Sequence, residues 1–332
     1  MLLTGASGTI GKEIFRELIS RSRKYEISLL LRPSHKNKKL FKSYKEIVDI
    51  VWGDIQNYED VNKSVSNKDI IIHVAGVLPD IAMYKPDLAK VTNIGGTNNV
   101  LNAMKAQQTN PKIIFTSSTA VYDKTLEDPI IKISNPIDAN PKDIYSYTKI
   151  EAEKSIINSG MDYCIFRISY AASVDILKFR PIMFHIPLDT PLEIIHVKDV
   201  AQAIVNAIES DNIWGKIFNL GGGKDCQIIY KDNLNDYYEI MGFGRNFLPE
   251  TAFAKTGFYC GILDSQETDN LQELLNFKHH TLQDFYVEVK KWIGLKKYFI
   301  PIIKPILKRY ILRKSEIYQK HKRISNNTKK NI

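Results

Sequence analysis

The chain has 332 residues, 44% hydrophobic and 25% charged, with a formal net charge of +9, which suits a soluble protein with one large core or two smaller ones and argues against a disordered chain. The surplus charge is local: residues 294–332 carry twelve Lys or Arg and one acid, Glu316, while the remainder holds 34 basic and 36 acidic side chains, so no nucleic-acid-binding groove is expected. Three cysteines (Cys164, Cys226, Cys260) with no CxxC pair and no histidine at zinc spacing suggest neither a disulfide framework nor a metal and fit a reducing cytoplasm. The start lacks a basic region followed by an apolar run, and no apolar stretch approaches the roughly eighteen residues of a membrane span.

In chain order, "MLLTG", "YEISLLLR", "EIVDIVWG", "KDIIIHVAG", "PKIIFTSS" and "MDYCIFRIS" are short β-branched and aliphatic runs, each separated by enough chain for a helix. Near-continuous apolar strands spaced by helices predict a doubly wound α/β fold, a parallel sheet covered on both faces.

The first strand runs into "TGASGTIGKEIF". Gly5 permits a tight turn, Gly8 lets backbone approach a pyrophosphate, and Gly11 lets the following helix pack on the strand, with phosphates at the helix N-terminus. Further along, "GDI" with Asp54 and Ile55 follows the third strand, "HVAG" with Ala75 and Gly76 ends the fourth, "TNIGGTNNVL" holds Asn93 and Thr97, "FTSSTAVYD" holds Ser118, and "YSYTK" holds Tyr145 and Lys149. Tyr-xxx-Lys recurs at Tyr310/Lys314 and Tyr318/Lys322, but only Tyr145/Lys149 lies one loop beyond the fifth strand, with both side chains on one helical face.

These motifs, in this order over most of residues 1–290, resemble the extended short-chain dehydrogenase/reductase family, in its epimerase/dehydratase-like branch. The resemblance implies a Rossmann domain of 1–168 plus about 196–220, a smaller discontinuous substrate domain of about 169–195 and 221–293, and a dimer paired through the Tyr-xxx-Lys helix. It implies a cofactor held by Gly5, Ser7, Gly8, Thr9, Ile10, Gly11, Arg32, Asp54, Ile55, Ala75, Gly76, Asn93, Tyr145 and Lys149. The catalytic set is then Ser118, Tyr145 and Lys149. A free phenol is a poor base at neutral pH; Lys149 is expected to lower the Tyr145 pKa by its charge, while Ser118 orients the substrate oxygen.

Where NAD-binding relatives place an acid after the second strand, this chain has Arg32, with Lys36, Lys38 and Lys39 nearby. Arg can pair bidentately with a ribose phosphate, which favours NADP(H) over NAD(H). Thr119 and Ala120 stand where dehydratases of the branch carry an Asp-Glu pair, Tyr170 where sugar-nucleotide enzymes show Asn, and Leu192 where many place a diphosphate-binding Arg. Candidate substrate residues are Thr119, Tyr170 and Arg180, with Arg180 or Lys178 as a replacement cation. The expected function is an NAD(P)-dependent oxidoreductase acting on a small-molecule secondary alcohol or ketone. The alternatives are a sugar-nucleotide epimerase with tightly held NAD and a cofactor-binding sensor or scaffold.

"IIHVKDVAQAIVNAIE" predicts a helix with Asp199 as its N-cap, and "GILDSQETDNLQELLNF" an amphipathic helix; His279 and His280 have no metal partners at useful spacing. The tail 294–332 reads as basic and amphipathic, broken by Pro301 and Pro305 and disordered from about Ser325. Two readings stand for 298–314. A helix from near Pro305 lies at the inner face of a membrane, with Ile306, Tyr310 and Ile311 inward and Lys304, Lys308, Arg309 and Arg313 toward anionic headgroups; or Tyr298, Phe299, Ile302 and Ile303 dock on the body.

Overall fold

The structure is a computed structural model describing residues 1–330 except 123–126, 138–142, 175–178 and 258–259. Its elements run β1 (Leu2–Thr4), α1 (Thr9–Ser20), β2 (Ser28–Leu31), α2 (His35–Leu40), β3 (Asp49–Trp52), α3 (Tyr58–Val65), β4 (Ile70–His73), α4 (Pro79–Tyr84), α5 (Pro86–Ala89), α6 (Gly96–Lys105), β5 (Lys112–Ser118), β6 (Ile130–Ile131), α7 (Ile144–Ile157) and β7 (Tyr163–Ile168). They continue with β8 (Tyr170–Ala172), β9 (Pro191–His196), α8 (Val197–Ala207), β10 (Lys216–Leu220), β11 (Gln227–Ile229), α9 (Tyr230–Ile240), β12 (Ile262–Leu263), α10 (Ser265–Leu275), α11 (Leu282–Ile293), α12 (Ile300–Leu312) and α13 (Glu316–Lys330).

The main sheet is parallel in the order β10-β7-β5-β4-β1-β2-β3. The six apolar runs of the sequence are its β1 to β5 and β7. Ile14, Phe15 and Leu18 of α1 and Val200, Ala203 and Ile204 of α8 bury one face; Val61 and Val65 of α3, Val100 and Met104 of α6 and Ile156 of α7 bury the other. With both faces covered, nearly every strand position is apolar. The order reverses between β1 and β4, and in such sheets the crevice at the strands' carboxyl ends is where ligands bind.

A second core joins β8, β9, α9 and α11, with Phe184, Tyr230, Tyr238, Phe247, Phe253 and Phe285 among its buried residues. Leu192, at the position where relatives carry a cation, is fully buried there. Ile311 and Leu312 of α12 belong to the same core, so the tail is tied to the body.

Local sequence differs from expectation at two places. The α8 cap is His196, whose Nδ1 accepts from the Lys198 amide at 3.2 Å. Asp199 instead accepts from the His279 and His280 amides at 3.2 and 3.0 Å and pairs with the His280 ring; that ring stacks on His196 with centroids 4.4 Å apart. In the tail, expected to be broken and partly disordered, α12 runs through Pro305 and α13 continues to Lys330. Pro301 sits in the first turn of α12, where its missing N–H is no loss. Pro305 lies one turn later, where it removes only the bond that would reach back to the Pro301 carbonyl.

Candidate active site

The glycine loop is shaped by what its backbone touches. Gly5 has φ +76°, and a Cβ there would lie 2.6 Å from the Ala75 nitrogen; a Cβ on Gly11 would collide with the Gly5 carbonyl oxygen. The Gly8 amide donates to Gly5 O at 2.9 Å, turning the chain into α1, which starts at Thr9 with no side-chain cap. The first amides of α1 therefore remain as donors at a positive helix end, where an anion is favoured. Ser7 and Thr9 are half-buried, Gly8 is exposed, and Ile10 packs on the core beneath the loop.

A buried relay locks β1 to β4 beside this loop. Thr97 Oγ1 donates to the Asn93 carbonyl at 2.6 Å, so it accepts from His73 Nε2 at 3.0 Å, leaving Nδ1 to accept from Thr4 Oγ1 at 2.8 Å. The Thr4 oxygen accepts in turn from the Val74 and Ala75 amides, both at 3.2 Å. Burial, with the Lys149 charge as a lesser cause, pushes the His73 pKa down to about 3, so the ring is neutral. The chain order hid this: His73 stands in the quoted "HVAG" but carried no assigned role.

Between α5 and α6 the helix holds a π turn, Lys90–Gly95, a feature frequent at functional sites. It aims the buried Asn93 amide so that Oδ1 accepts from the Val77 amide at 2.7 Å and Nδ2 donates to Thr148 Oγ1 at 2.9 Å. The loop after β4, with Ala75 and Gly76, is thereby fastened to α7. At the end of β3, the Asp54 amide donates to Asp60 Oδ2 and its Oδ1 accepts from the Gln56 amide; Ile55 is buried against α6. Arg32 follows β2 directly and is exposed, its carbonyl accepting from Asn37 Nδ2 at 2.9 Å.

Ser118 ends β5, its Oγ accepting from the Ala120 amide at 3.2 Å, and it acts on the Tyr145 phenol, which sits in the first turn of α7. Asp143 caps that helix, accepting from the Tyr145 and Ser146 amides at 3.0 and 3.2 Å. Burial pushes the Tyr145 pKa up to about 12, with the Ser118 side chain opposing the rise and the Asp143 charge adding to it. This differs from the expected lowering by Lys149. The Lys149 ammonium donates to the Thr116 carbonyl at 2.8 Å and lies 4.6 Å from the centre of the Phe115 ring, and its own pKa is pushed down to about 8 by burial, partly restored by Glu153.

Two further charged groups were not anticipated from sequence. Glu153, one turn beyond Lys149, is fully buried and pairs with Arg167 on β7 at 2.6 Å, while accepting from Ser117 Oγ. Arg167 also donates to the Tyr122 hydroxyl at 2.6 Å, which donates to Asn219 at 2.9 Å. Glu153 stands one further turn along the Tyr-xxx-Lys face, so the i,i+4 rule could have found it.

Of the candidate substrate residues, Thr119 opens the turn after Ser118 and Tyr170 opens β8, half-buried, with burial, Cys260 and Arg180 acting on its phenol. Arg180 does not stand free: its Nη1 pairs with Asp80 of α4 at 3.3 Å, so that cation is engaged across the two parts of the fold. Lys178 lies outside the described residues. Among the described residues no cluster of His, Cys, Asp or Glu could hold a metal, and no helix is long and apolar enough to cross a membrane.

Fold and site together describe a doubly wound parallel α/β protein with Ser118, Tyr145 and Lys149 near the carboxyl end of β5. Residues 2–163 match the model of the 3-beta hydroxysteroid dehydrogenase/isomerase family. It is 26% identical over 172 residues to methionine adenosyltransferase 2 subunit beta of Rattus norvegicus, covering 51% of this chain and 46% of that protein. It is 29% identical over 161 residues to a 2-alkyl-3-oxoalkanoate reductase of Shewanella oneidensis, covering 48% and 38%. The aligned parts thus span less than half the length of these relatives. Among solved structures, UDP-glucuronic acid 4-epimerase from Bacillus cereus, crystallised with UDP-glucuronic acid and NAD, superposes with TM-score 0.69 at 19% identity over 88% of this chain and 99% of that one, a likeness of fold.

Proposed function

We propose that the chain is an NAD(P)-dependent oxidoreductase of the epimerase/dehydratase type, acting at a secondary alcohol or ketone with Tyr145 as acid/base. The observation that supports it most is that Ser118, at the carboxyl end of β5, acts on the Tyr145 phenol to lower its pKa, with Lys149 one turn further along the same helix, buried and bonded to the Thr116 carbonyl. A loop in which a Cβ at Gly5 or Gly11 has no room, opening on uncapped helix amides, fits a dinucleotide held by Gly5, Ser7, Gly8, Thr9, Ile10 and Gly11. Asp54, Ile55, Ala75, Gly76 and Asn93 would line the same crevice, and Arg32 favours the phosphorylated cofactor. When bound, the nicotinamide supplies or accepts the hydride.

The protein's own part is the proton. With its pKa raised by burial, Tyr145 rests as the neutral phenol, ready to donate to a carbonyl oxygen that Ser118 orients. Lys149 has three donors and gives one to Thr116; the others are available to a ribose. The relatives named for a hydroxysteroid and an oxoalkanoate, together with the buried Leu192, favour a small carbonyl substrate over a sugar nucleotide. The domain division, a homodimer through helices that include α7, a cytoplasmic location and peripheral membrane contact through 298–314 belong to this reading.

The test is the nucleotide that accompanies the purified protein. NADP(H), lost on gel filtration and consumed with a ketone, supports the reading, and Tyr145→Phe should abolish turnover while cofactor affinity stays within about twofold. Stoichiometric NAD retained throughout would instead establish the epimerase alternative.

A further inference from the structure

The segment from Gly294 to Lys314 holds seven cations, Lys296, Lys297, Lys304, Lys308, Arg309, Arg313 and Lys314, and no acid. On α12, Ile311 and Leu312 are buried in the second core and Ile300 and Leu307 pack against it, which fixes the side that faces the body. The opposite side carries Ile302, Ile303, Ile306 and Tyr310, exposed by 74, 42, 73 and 55%, continuous with Leu295, Tyr298 and Phe299 at 78, 67 and 66%. A helical spacing of 100° per residue places Ile302, Ile306, Tyr310 and Ile303 in one stripe about a quarter-turn wide. Arg309 borders it along one edge and Arg313 stands at its C-terminal end, both exposed. The docking of Tyr298, Phe299, Ile302 and Ile303 on the body, the blander sequence reading, is therefore not what the structure has. Ile311, expected to face the lipid, faces the protein.

We infer that this stripe seats the protein on an anionic lipid bilayer, the apolar residues entering the acyl boundary and the bordering cations meeting phosphate headgroups. The inference rests on the membrane contact proposed above, shares its anionic headgroups, and adds the face of α12 that makes it. Large exposed apolar surface rimmed by charge marks a docking site, and the charge selects the occupant. A second copy would bring an equally cationic face into contact with this one. A nucleic acid would leave four aliphatic and aromatic side chains without apolar cover. An anionic bilayer satisfies both the stripe and its rim. Just beyond α12, Lys314 Nζ donates to the Phe179 carbonyl at 3.2 Å, next to the Arg180–Asp80 pair.

Co-sedimentation of the full chain with vesicles of mixed phosphatidylglycerol and phosphatidylcholine, and with pure phosphatidylcholine, tests it. Binding to the anionic vesicles, weakened by salt and reduced about tenfold or more by Ile302→Glu with Ile306→Glu, is expected; Arg309→Gln with Arg313→Gln should weaken it several-fold. All four side chains are exposed, so the thermal midpoint should hold within a few degrees, and cofactor binding serves as the control for folding. Equal binding to both vesicle types, or binding unaffected by the stripe variant, would overturn the inference while leaving membrane contact standing. Binding to neither would remove both. Concentration-dependent dimerisation abolished by Ile306→Glu, without vesicle binding, would assign the face to a second copy instead.

Discussion

The Lys149 ammonium gives one of its three donors to the Thr116 carbonyl, 2.8 Å away, and the Tyr145 ionisation is set by burial, Ser118 and Asp143. Holding Lys149 charged in this site costs stability, since its pKa falls to about 8 from the usual 10.5. Between those values the unfolded chain binds the extra proton, so stability rises with pH across that window and the strain is fully present below it. Chemical denaturation of the wild type and of Lys149→Met should therefore diverge: relative to the variant, the wild type gains roughly 3 kcal/mol from pH 8 to 10.5, at about 1.4 kcal/mol per unit. A constant difference over that range would contradict the burial of the ammonium.

Glu153 and Arg167 form the one pair in which both side chains are almost fully enclosed among the described ion pairs. Removing one partner strands the other charge, so Glu153→Gln should cost about 3–5 kcal/mol, while Glu153→Met combined with Arg167→Met should recover most of that. Urea denaturation measures both, and additive losses in the double variant would show that the pair is not coupled.

The sheet was legible because a strand covered on both faces must be apolar at nearly every position, and six such runs stand out between polar helices. The glycine loop and Tyr145/Lys149 were legible because their spacing is local. What could not be read is set by contacts distant in sequence: Thr4 with His73, Asp80 with Arg180, and the burial that raises rather than lowers the Tyr145 pKa. The Asp199 cap failed for the same reason, since the His279–His280 backbone claims that carboxylate from 80 residues away. The tail misled locally, as two prolines near the start of α12 are compatible with a helix that tertiary packing at Ile311 and Leu312 holds in place.

His73 should be an acid liability. Its folded pKa of about 3 lies below the usual 6.5, so the unfolded chain takes up a proton first and stability falls as pH drops through that interval. The loss is about 1.4 kcal/mol per unit from this group. His73→Leu leaves Thr4 and Thr97 short of a partner and starts less stable, yet its stability should fall less steeply between pH 6 and 4. Parallel slopes would mean that the ring is not held neutral.

Two glycines of the loop separate folding from binding. Alanine at Gly11 meets the Gly5 carbonyl and should lower the thermal midpoint by several degrees or prevent folding. Alanine at Gly8 meets only Gly5 O, at 3.3 Å, from an exposed position, so stability should change by about 1 kcal/mol or less. Dinucleotide affinity should nonetheless fall about tenfold or more, because the added methyl stands where a pyrophosphate must approach. Undiminished affinity in Gly8→Ala would mean that the loop is only a strand-to-helix turn.

Arg32 offers the sharpest test of cofactor choice. It follows β2 directly, is exposed, and has Lys36, Lys38 and Lys39 on the adjoining α2. A guanidinium pairs with a ribose phosphate, whereas a carboxylate accepts from ribose hydroxyls and repels that phosphate. Arg32→Asp should therefore weaken NADPH binding about a hundredfold, the range of a lost charge-assisted pair plus a new repulsion, while NADH binding holds or improves. Fluorescence titration of both nucleotides reads this directly. If the two affinities fall together, Arg32 supports the loop without choosing the cofactor; if neither changes, the basic cluster beyond β2 is merely a solvated surface.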